Sequence, residues 1–277
     1  MIGKDMRLDR FCEGIRLMPE AVKELEGIEV EEEEYKKNKR LFQEDKDAFY
    51  AAILKEKKFR LLFLYYFCRM GCDAWEEYIK KGISEKVYWD TFYDLTLWCG
   101  NCRQEYGEYG IAQYDWFYRA IEGKLLRLGR LEFEQGCSEW EFVCRGRKVS
   151  LGEPVIYVHV PQGERLEWKE CLESFARAFR LWGKDRCYLC HSWLLGEELE
   201  DILPEESNIR KFREFFTVVR IDYEEREAEW RVFRTVNRSI KAYPEETALQ
   251  KRMKKLLLEG KCFGNGLGVW KNGRNVR

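Results

Sequence analysis

Pro154-Val-Ile-Tyr-Val-His-Val160 is a nearly unbroken apolar run that ends in Pro161-Gln-Gly163. A short run of this composition, closed by a turn signal, predicts a strand buried on both faces. On its C-terminal side Leu172, Phe175, Ala176, Phe179 and Trp182 recur at helical spacing as far as Gly183, which predicts a helix with a glycine stop. A second apolar run, Cys187-Tyr-Leu-Cys-His-Ser-Trp-Leu194, follows. Strand, helix and strand in this order predict two parallel strands joined by a right-handed crossover. Farther on, the pattern predicts a short helix over 197–203, a turn at Pro204, a strand over 216–221, helices near 227–236 and 245–258, and a last strand around 267–270. Gly264-Asn-Gly-Leu-Gly268 precedes that last strand instead of joining a strand to a helix, so it reads as a hairpin turn and not as a nucleotide loop.

On the N-terminal side the alternation of Leu126, Leu128 and Leu131-Glu-Phe-Glu-Gln135 is taken up again by Trp140-Glu-Phe-Val-Cys144 across Gly136, Cys137 and Ser138. This predicts an antiparallel hairpin or meander. Before Gly123 the period is helical. One helix is expected through Tyr35, Leu41, Phe42, Phe49 and Ile53, another from Phe59 to Tyr78, and a third opened by Ser84 with Tyr88, Phe92 and Leu95 on its buried stripe. Gly107 and Gly110 break the third, and a short helix over 114–121 follows. The change of period sets the expected boundary: a helical domain over 1–122 and a mixed α/β sheet domain over 123–277, an α+β chain.

Composition narrows the function classes. Of 277 residues, 45% are hydrophobic and 15% aromatic, enough to form a core, and 36% are charged. Lys and Arg (49) nearly cancel Asp and Glu (50), so no global field draws the chain to nucleic acid or an anionic membrane. The start is charged and lacks the apolar stretch of a secretory signal, and the run from Leu61 to Cys68 is far short of the ~20 residues that span a bilayer. A cytoplasmic location is expected. The eleven cysteines are odd in number and scattered, which favours reduced thiols over a disulfide framework. Cys99 with Cys102, and Cys187 with Cys190, are CxxC pairs that together number enough thiolates for zinc, but each pair sits inside an apolar element, so buried thiols and no metal are expected.

The only two histidines, His159 and His191, fall in the second halves of the two predicted parallel strands. Ligands of open α/β sheets gather beyond the carboxyl ends of parallel strands, and an imidazole exchanges a proton near neutral pH. Each histidine equally reads as a core residue bonded to backbone. Adjacent strand residues point to opposite faces, so Cys190 and His191 cannot act as a nucleophile and base pair; Cys190 with His159 across strands is the remaining thiol option. Ser207-Asn208 reads as a turn or helix cap, with substrate contact as the other option. In the loop from Pro161 to Glu167, Gln162, Gly163 and Arg165 suit an anion at a helix N-terminus, while Glu164 and Glu167 repel one unless they point away.

Leu128-Gly-Arg-Leu131, Val158-His-Val-Pro161 with Gly163, Cys190-His-Ser-Trp-Leu-Leu195 and Glu206-Ser-Asn-Ile209, in that order, resemble bacterial acyltransferase domain-containing proteins. Those proteins have an N-acyltransferase N-terminal helical domain and a GNAT-like C-terminal domain, and the similarity runs from about residue 30 onward. The resemblance implies transfer from acetyl-CoA or another acyl-CoA to an amine acceptor, with the thioester arm lying between two splayed parallel strands. It implies that the backbone of the strand from Pro154 to Val160, Val158 and Val160 included, holds the arm and that the helix starting near Trp168 faces the diphosphate, where Gln162, Gly163 and Arg165 are the loop residues that suit an anion; Ser207 and Asn208 remain the candidates for substrate contact. His159 or His191 would serve as base. The chain departs from the GNAT phosphate loop of Arg or Gln, two residues, Gly, one residue, Gly or Ala, which Gln162-Gly-Glu-Arg-Leu-Glu167 does not reproduce, and no tyrosine occurs over 197–203 to protonate the departing thiolate. Cys190, Ser192 or water would substitute. A non-catalytic GNAT-like module that binds a small molecule or a protein is the alternative.

Overall fold

The computed structural model describes residues 6–271; the charged start read above falls largely within 1–5, outside the described residues. The chain forms two compact units, one running up to Leu128 and taking in Pro161–Gly163, the other made of Gly129–Val160 and the chain from Glu164 onward.

The first unit is helical: α1 (Leu8–Gly14), α2 (Pro19–Glu26), α3 (Glu32–Glu44), α4 (Lys46–Ile53), α5 (Phe59–Lys80), α6 (Glu85–Tyr106) and α7 (Tyr118–Ile121), closed by strand β1 (Leu125–Arg127). The single helix expected through Tyr35 and Ile53 is two, because Asp45 leaves helical geometry (φ −150°, ψ 95°) and its carboxylate accepts from the Ala48 amide at 2.9 Å. A short acid offers the backbone this bond at a cap, and the polypeptide bends there. Ser84 caps α6 and Gly107 ends it in the left-handed region (φ 75°). The helix faces meet through aromatic rings. Phe42, Phe49, Phe63 and Phe67 are buried in edge-on and stacked contacts, and the buried Tyr78 and Tyr88 donate their hydroxyls to the carbonyls of Ala120 and Gly71.

The second unit holds strands β2 (Glu132–Cys137), β3 (Phe142–Cys144), β4 (Arg147–Val149) and β5 (Pro154–His159), helix α8 (Trp168–Trp182) and strand β6 (Tyr188–Ser192). Helices α9 (Leu199–Ile202) and α10 (Asn208–Arg213), strand β7 (Phe216–Asp222), helices α11 (Glu227–Phe233) and α12 (Ala248–Leu258), and strand β8 (Asn265–Trp270) complete it. Its sheet runs β2-β5-β6-β8-β7, and the β5–β6 pair is parallel as expected, joined by α8. The expected hairpin between 131–135 and 140–144 does not form. β2 pairs antiparallel with β5, from Glu132 opposite His159 to Cys137 opposite Pro154, while β3 and β4 make a separate two-stranded hairpin. Burial decides this: Phe142, Cys144 and Val149 of the hairpin pack on Val155, Cys187, Leu189, Leu267 and Val269 and so cover one sheet face. The opposite face takes α8, whose Phe175 and Phe179 meet Phe133, Tyr188 and Trp270.

The second strand stops before Leu194. At Ser192 the chain enters a tight 3₁₀ turn, Trp193–Leu195, and buried Leu195 folds back over β8. This explains the glycines read as a hairpin turn. Asn265-Gly-Leu-Gly268 lies inside β8, where a Cβ on Gly266 would stand 2.7 Å from Leu195 Cβ, and one on Gly268 would stand 2.6 Å from Leu195 Cδ1 and 2.7 Å from Phe216 Cβ. Only glycine lets the backbone come this close. Gly268→Ala is therefore expected to lower unfolding free energy by about 1–3 kcal/mol, as overpacking does; a denaturant midpoint equal to wild type would show that the contact relaxes without cost.

Candidate functional site

The ladder between β5 and β6 ends early. Its Cα partners are Ile156 with Tyr188 and Tyr157 with Leu189, and beyond them the two strands share no pairing. Each strand nevertheless stays in the sheet on its other side: Val158 and His159 remain opposite Phe133 and Glu132, and Cys190, His191 and Ser192 remain opposite Gly268, Leu267 and Gly266. The two parallel strands thus part at their carboxyl ends while both remain anchored. The Ile156 amide donates to the Cys187 carbonyl at 2.9 Å. Backbone polar groups alternate in direction along a strand, so Val158, two residues on, points the same way; its N–H closes the Tyr157–Leu189 pair on the Leu189 carbonyl, and its C=O is the first group beyond the ladder, turned toward the opening. Val160 is the next residue of that set, just past the end of the strand.

The same alternation sorts the side chains. Tyr157 and His159 of β5, Glu132 and Glu134 of β2, and Leu189 and His191 of β6 share the hairpin-covered face, while Val158, Tyr188 and Cys190 share the α8 face. Both histidines therefore stand on one face, one on each bank of the opening. The His159 Nε2 lies 2.9 Å from a Glu134 carboxylate oxygen. The His191 ring meets the Trp140 indole at 4.9 Å between centroids. Tyr157 lies beside both, 6.4 Å from the His159 ring and 6.5 Å from the Trp140 ring. Its hydroxyl donates to the Cys137 carbonyl at 2.9 Å, and burial pushes the phenol up to about 12, so it stays protonated near neutral pH. Gly136 makes this possible: a Cβ there would stand 3.0 Å from the Tyr157 ring, which lies across β2 at that point.

Several predicted residues fall elsewhere. Cys190 sits fully buried on the face opposite His159 and His191, so strand alternation removes the remaining thiol option, Cys190 with His159; burial also pushes its thiol well above the usual range. Cys187 joins the cluster under the hairpin, on the other side of the sheet from Cys190, so these two thiols cannot share one ion. Ser192 caps the 3₁₀ turn, its Oγ accepting from the Leu194 amide at 3.2 Å. Gln162 clusters with the helical unit, where its amide exchanges two hydrogen bonds with Asn101 of α6 at 2.7 and 3.1 Å. Gly163 takes a positive φ of 130° and leaves the space around its α-carbon open.

The approach to α8 is organised by residues the sequence reading did not single out. Ser174 Oγ accepts from the amides of Arg130 and Leu131 at 2.9 and 3.3 Å, and the Arg130 guanidinium donates to the Arg165 carbonyl at 3.1 Å, which fastens the start of β2 and the loop to the helix. Glu167 is the α8 N-cap but gives no capping bond; its carboxylate accepts from the Asn208 side chain at 3.0 Å instead. Of the two acids that would repel an anion, Glu167 is thereby held on α10, where Ser207 caps the helix through the Ile209 amide at 3.3 Å. Ser207 and Asn208 are tied to these protein groups. Glu134, Trp140 and Tyr157 were missed because nothing local marks them; only the register of β2 on β5 brings Glu134 to His159.

A fold with this opening between parallel strands, preceded in the chain by a helical unit, defines a class, and the family models agree. Residues 6–123 match the N-acyltransferase N-terminal domain and residues 125–270 the GNAT-like C-terminal domain. The chain belongs to the N-acyltransferase family built from these two domains. Solved structures share the fold. An acyltransferase in complex with CoA and 10C-teicoplanin superposes with a TM-score of 0.76 at 20% identity, covering 98% of this chain and 88% of that one. A mutant of the acyltransferase orf11* in complex with octanoyl-CoA gives 0.74 at 20% identity, with coverage of 95% and 87%. An acyltransferase in complex with decanoyl-CoA gives 0.65 at 20% identity, with coverage of 96% and 99%. No curated protein matches the chain. Among the described residues no helix is long and apolar enough to cross a membrane, and no group of three or more His, Cys, Asp or Glu is placed to hold a metal ion.

Of the eleven cysteines only Cys137 and Cys262 are exposed. Titration of the native protein with an aromatic disulfide reagent is expected to show two fast thiols and the rest only on unfolding; a third fast thiol mapping to Cys190 would restore it as a reactive group.

Proposed function

We propose that this chain transfers an acyl group from an acyl-CoA thioester to an amine, at the opening between β5 and β6. The observation that carries the reading is the parting of the strands after Tyr157 and Leu189, with His159 and His191 on one face of the two banks. The thioester arm lies against β5, where the Val158 carbonyl, and the Val160 amide beyond it, turn toward the opening and align the arm's amide and carbonyl groups. The diphosphate rests on the first turn of α8 with Arg165 beside it, Glu167 being held off by Asn208. Gln162, committed to Asn101, has no part in this, and Gly163 supplies only the bend.

In the reaction the amine nitrogen attacks the thioester carbon, the C–N bond forms and the C–S bond breaks. The surplus proton on nitrogen passes to an imidazole of the histidine pair, and the departing sulfur takes up one proton from water, since Cys190 and Ser192, both even-numbered positions of β6, face away. The products are an amide and free CoA. The relatives crystallised with octanoyl-CoA and decanoyl-CoA support an acyl-CoA donor as a class, with acetyl-CoA one member of it, and the relative crystallised with 10C-teicoplanin supports a separate small-molecule acceptor. The division of the chain into a helical domain over 1–122 and a transferase domain over 123–277, working in the cytoplasm with thiols reduced, belongs to the same proposal.

Isothermal titration with acetyl-, octanoyl- and decanoyl-CoA is expected to give saturable heat with at least one of them. Release of CoA thiol in the presence of a panel of primary amines is expected to fall at least ~10²-fold when His159 and His191 are both replaced by Ala, with acyl-CoA affinity nearly unchanged. No heat with any acyl-CoA sinks the transferase reading. Heat without amine-dependent thiol release leaves the non-catalytic binding module.

A further inference from the structure

We infer that Glu134 is the positioning residue that makes His159, rather than His191, the base of the reaction; this rests on the transferase reading above. Glu132 is directly opposite His159, so Glu134 is its diagonal neighbour on the same face. A diagonal separation across antiparallel strands is within reach of long side chains, and here the gap is closed by the 2.9 Å contact between His159 Nε2 and Glu134 Oε2. The contact is only lightly wetted: the side chains are 26% and 13% exposed.

A carboxylate on Nε2 selects the tautomer. With the Nε2 hydrogen directed at Glu134, the lone pair is on Nδ1, which takes the amine's proton while Glu134 goes on accepting from Nε2 and holds the ring in place. The ring is also held from its side. Tyr157, whose Cα is directly opposite that of Glu134, lies nearly parallel to the imidazole (26° between planes), and it cannot swing because its hydroxyl is fixed on Cys137 at the far edge of β2. His191 meets an indole where His159 meets a carboxylate. The charged and titratable groups on this face include Glu132 and Glu134 on β2, Tyr157 on β5 and His191 on β6, with the buried thiols of Cys144 and Cys187 under the hairpin and Glu139 acting on Tyr157.

A bond between adjacent strands can equally be a staple for the sheet, so the test needs a readout that a staple would not move. Full-length wild type, Glu134→Gln, Glu134→Asp, His159→Ala and the double variant Glu134→Gln/His159→Ala are compared for acyl-CoA affinity by titration, for kcat and KM of amine-dependent CoA release, and for thermal midpoint. Glu134→Gln is expected to lower kcat about 10- to 100-fold, the usual effect of losing the group that orients a functional histidine, with KM and acyl-CoA affinity nearly unchanged. Glu134→Asp recovers part of that loss, and it carries the test if the Gln variant does not fold. In the His159→Ala background Glu134→Gln costs nothing further, because the two act as a unit. A wild-type kcat in Glu134→Gln, or an equal loss in both backgrounds, overturns the assignment while leaving the transferase reading intact. A wild-type protein that binds no acyl-CoA or releases no CoA overturns both.

Discussion

One incomplete ladder governs the architecture of the second unit. β5 is secured by its antiparallel partner β2 and β6 by its antiparallel partner β8, and the parallel contact between β5 and β6 stops after two residue pairs. Because each strand keeps one paired edge, the sheet survives the gap, and the polar groups just past the last pair, the Val158 C=O first among them, are aimed at whatever lies there. The 3₁₀ turn at Trp193–Leu195 is part of this constraint. It carries the chain away from the sheet at Ser192, and it packs only because Gly266 and Gly268 leave room for Leu195 on β8.

The site follows from strand alternation on either side of that parting. Odd-numbered positions of β5 and β6 put Tyr157, His159 and His191 on one face, and the even-numbered positions commit Tyr188 and Cys190 to the packing against α8. The chemistry is thereby segregated: imidazoles and a carboxylate share the partly wetted face, while the one thiol next to a histidine in the chain is buried on the dry side, where its ionisation is costly. Glu167 shows the same segregation at the head of α8, since its carboxylate is turned to Asn208 and the helix end is left with its backbone amides.

The departures from expectation have separate physical origins. The helix through Tyr35 and Ile53 breaks at Asp45 because a local side-chain cap outcompeted a continuous apolar stripe, and such caps are ambiguous until φ and ψ are known. The 131–135 and 140–144 segments looked like hairpin partners because they are neighbours in sequence. Long-range burial instead sent β2 to β5 and folded β3 with β4 over the open face, a choice that depends on residues as distant as Leu267 and Val269. The glycines of β8 resembled a turn because sequence shows the absence of side chains but not the Leu195 that occupies their place.

What the sequence determined by itself was whatever periodicity and local chemistry encode: the helical first part, the strand, helix and strand around Pro154–Ser192, the parallel pairing, and the placement of His159 and His191 toward the ends of those strands. Strings such as Leu128-Gly-Arg-Leu131 and Cys190-His-Ser-Trp-Leu-Leu195 sufficed for the resemblance to the family, and the domain models match accordingly. Only the tertiary structure decided which of those residues meet. Glu134 reaches His159 through the register of two strands well separated in the chain, Trp140 reaches His191 through the docking of a hairpin, and the turn that follows β6 packs where the distant glycines of β8 accommodate Leu195. These are pairings between remote segments, and a linear pattern carries the propensity of each segment without the partner it will find.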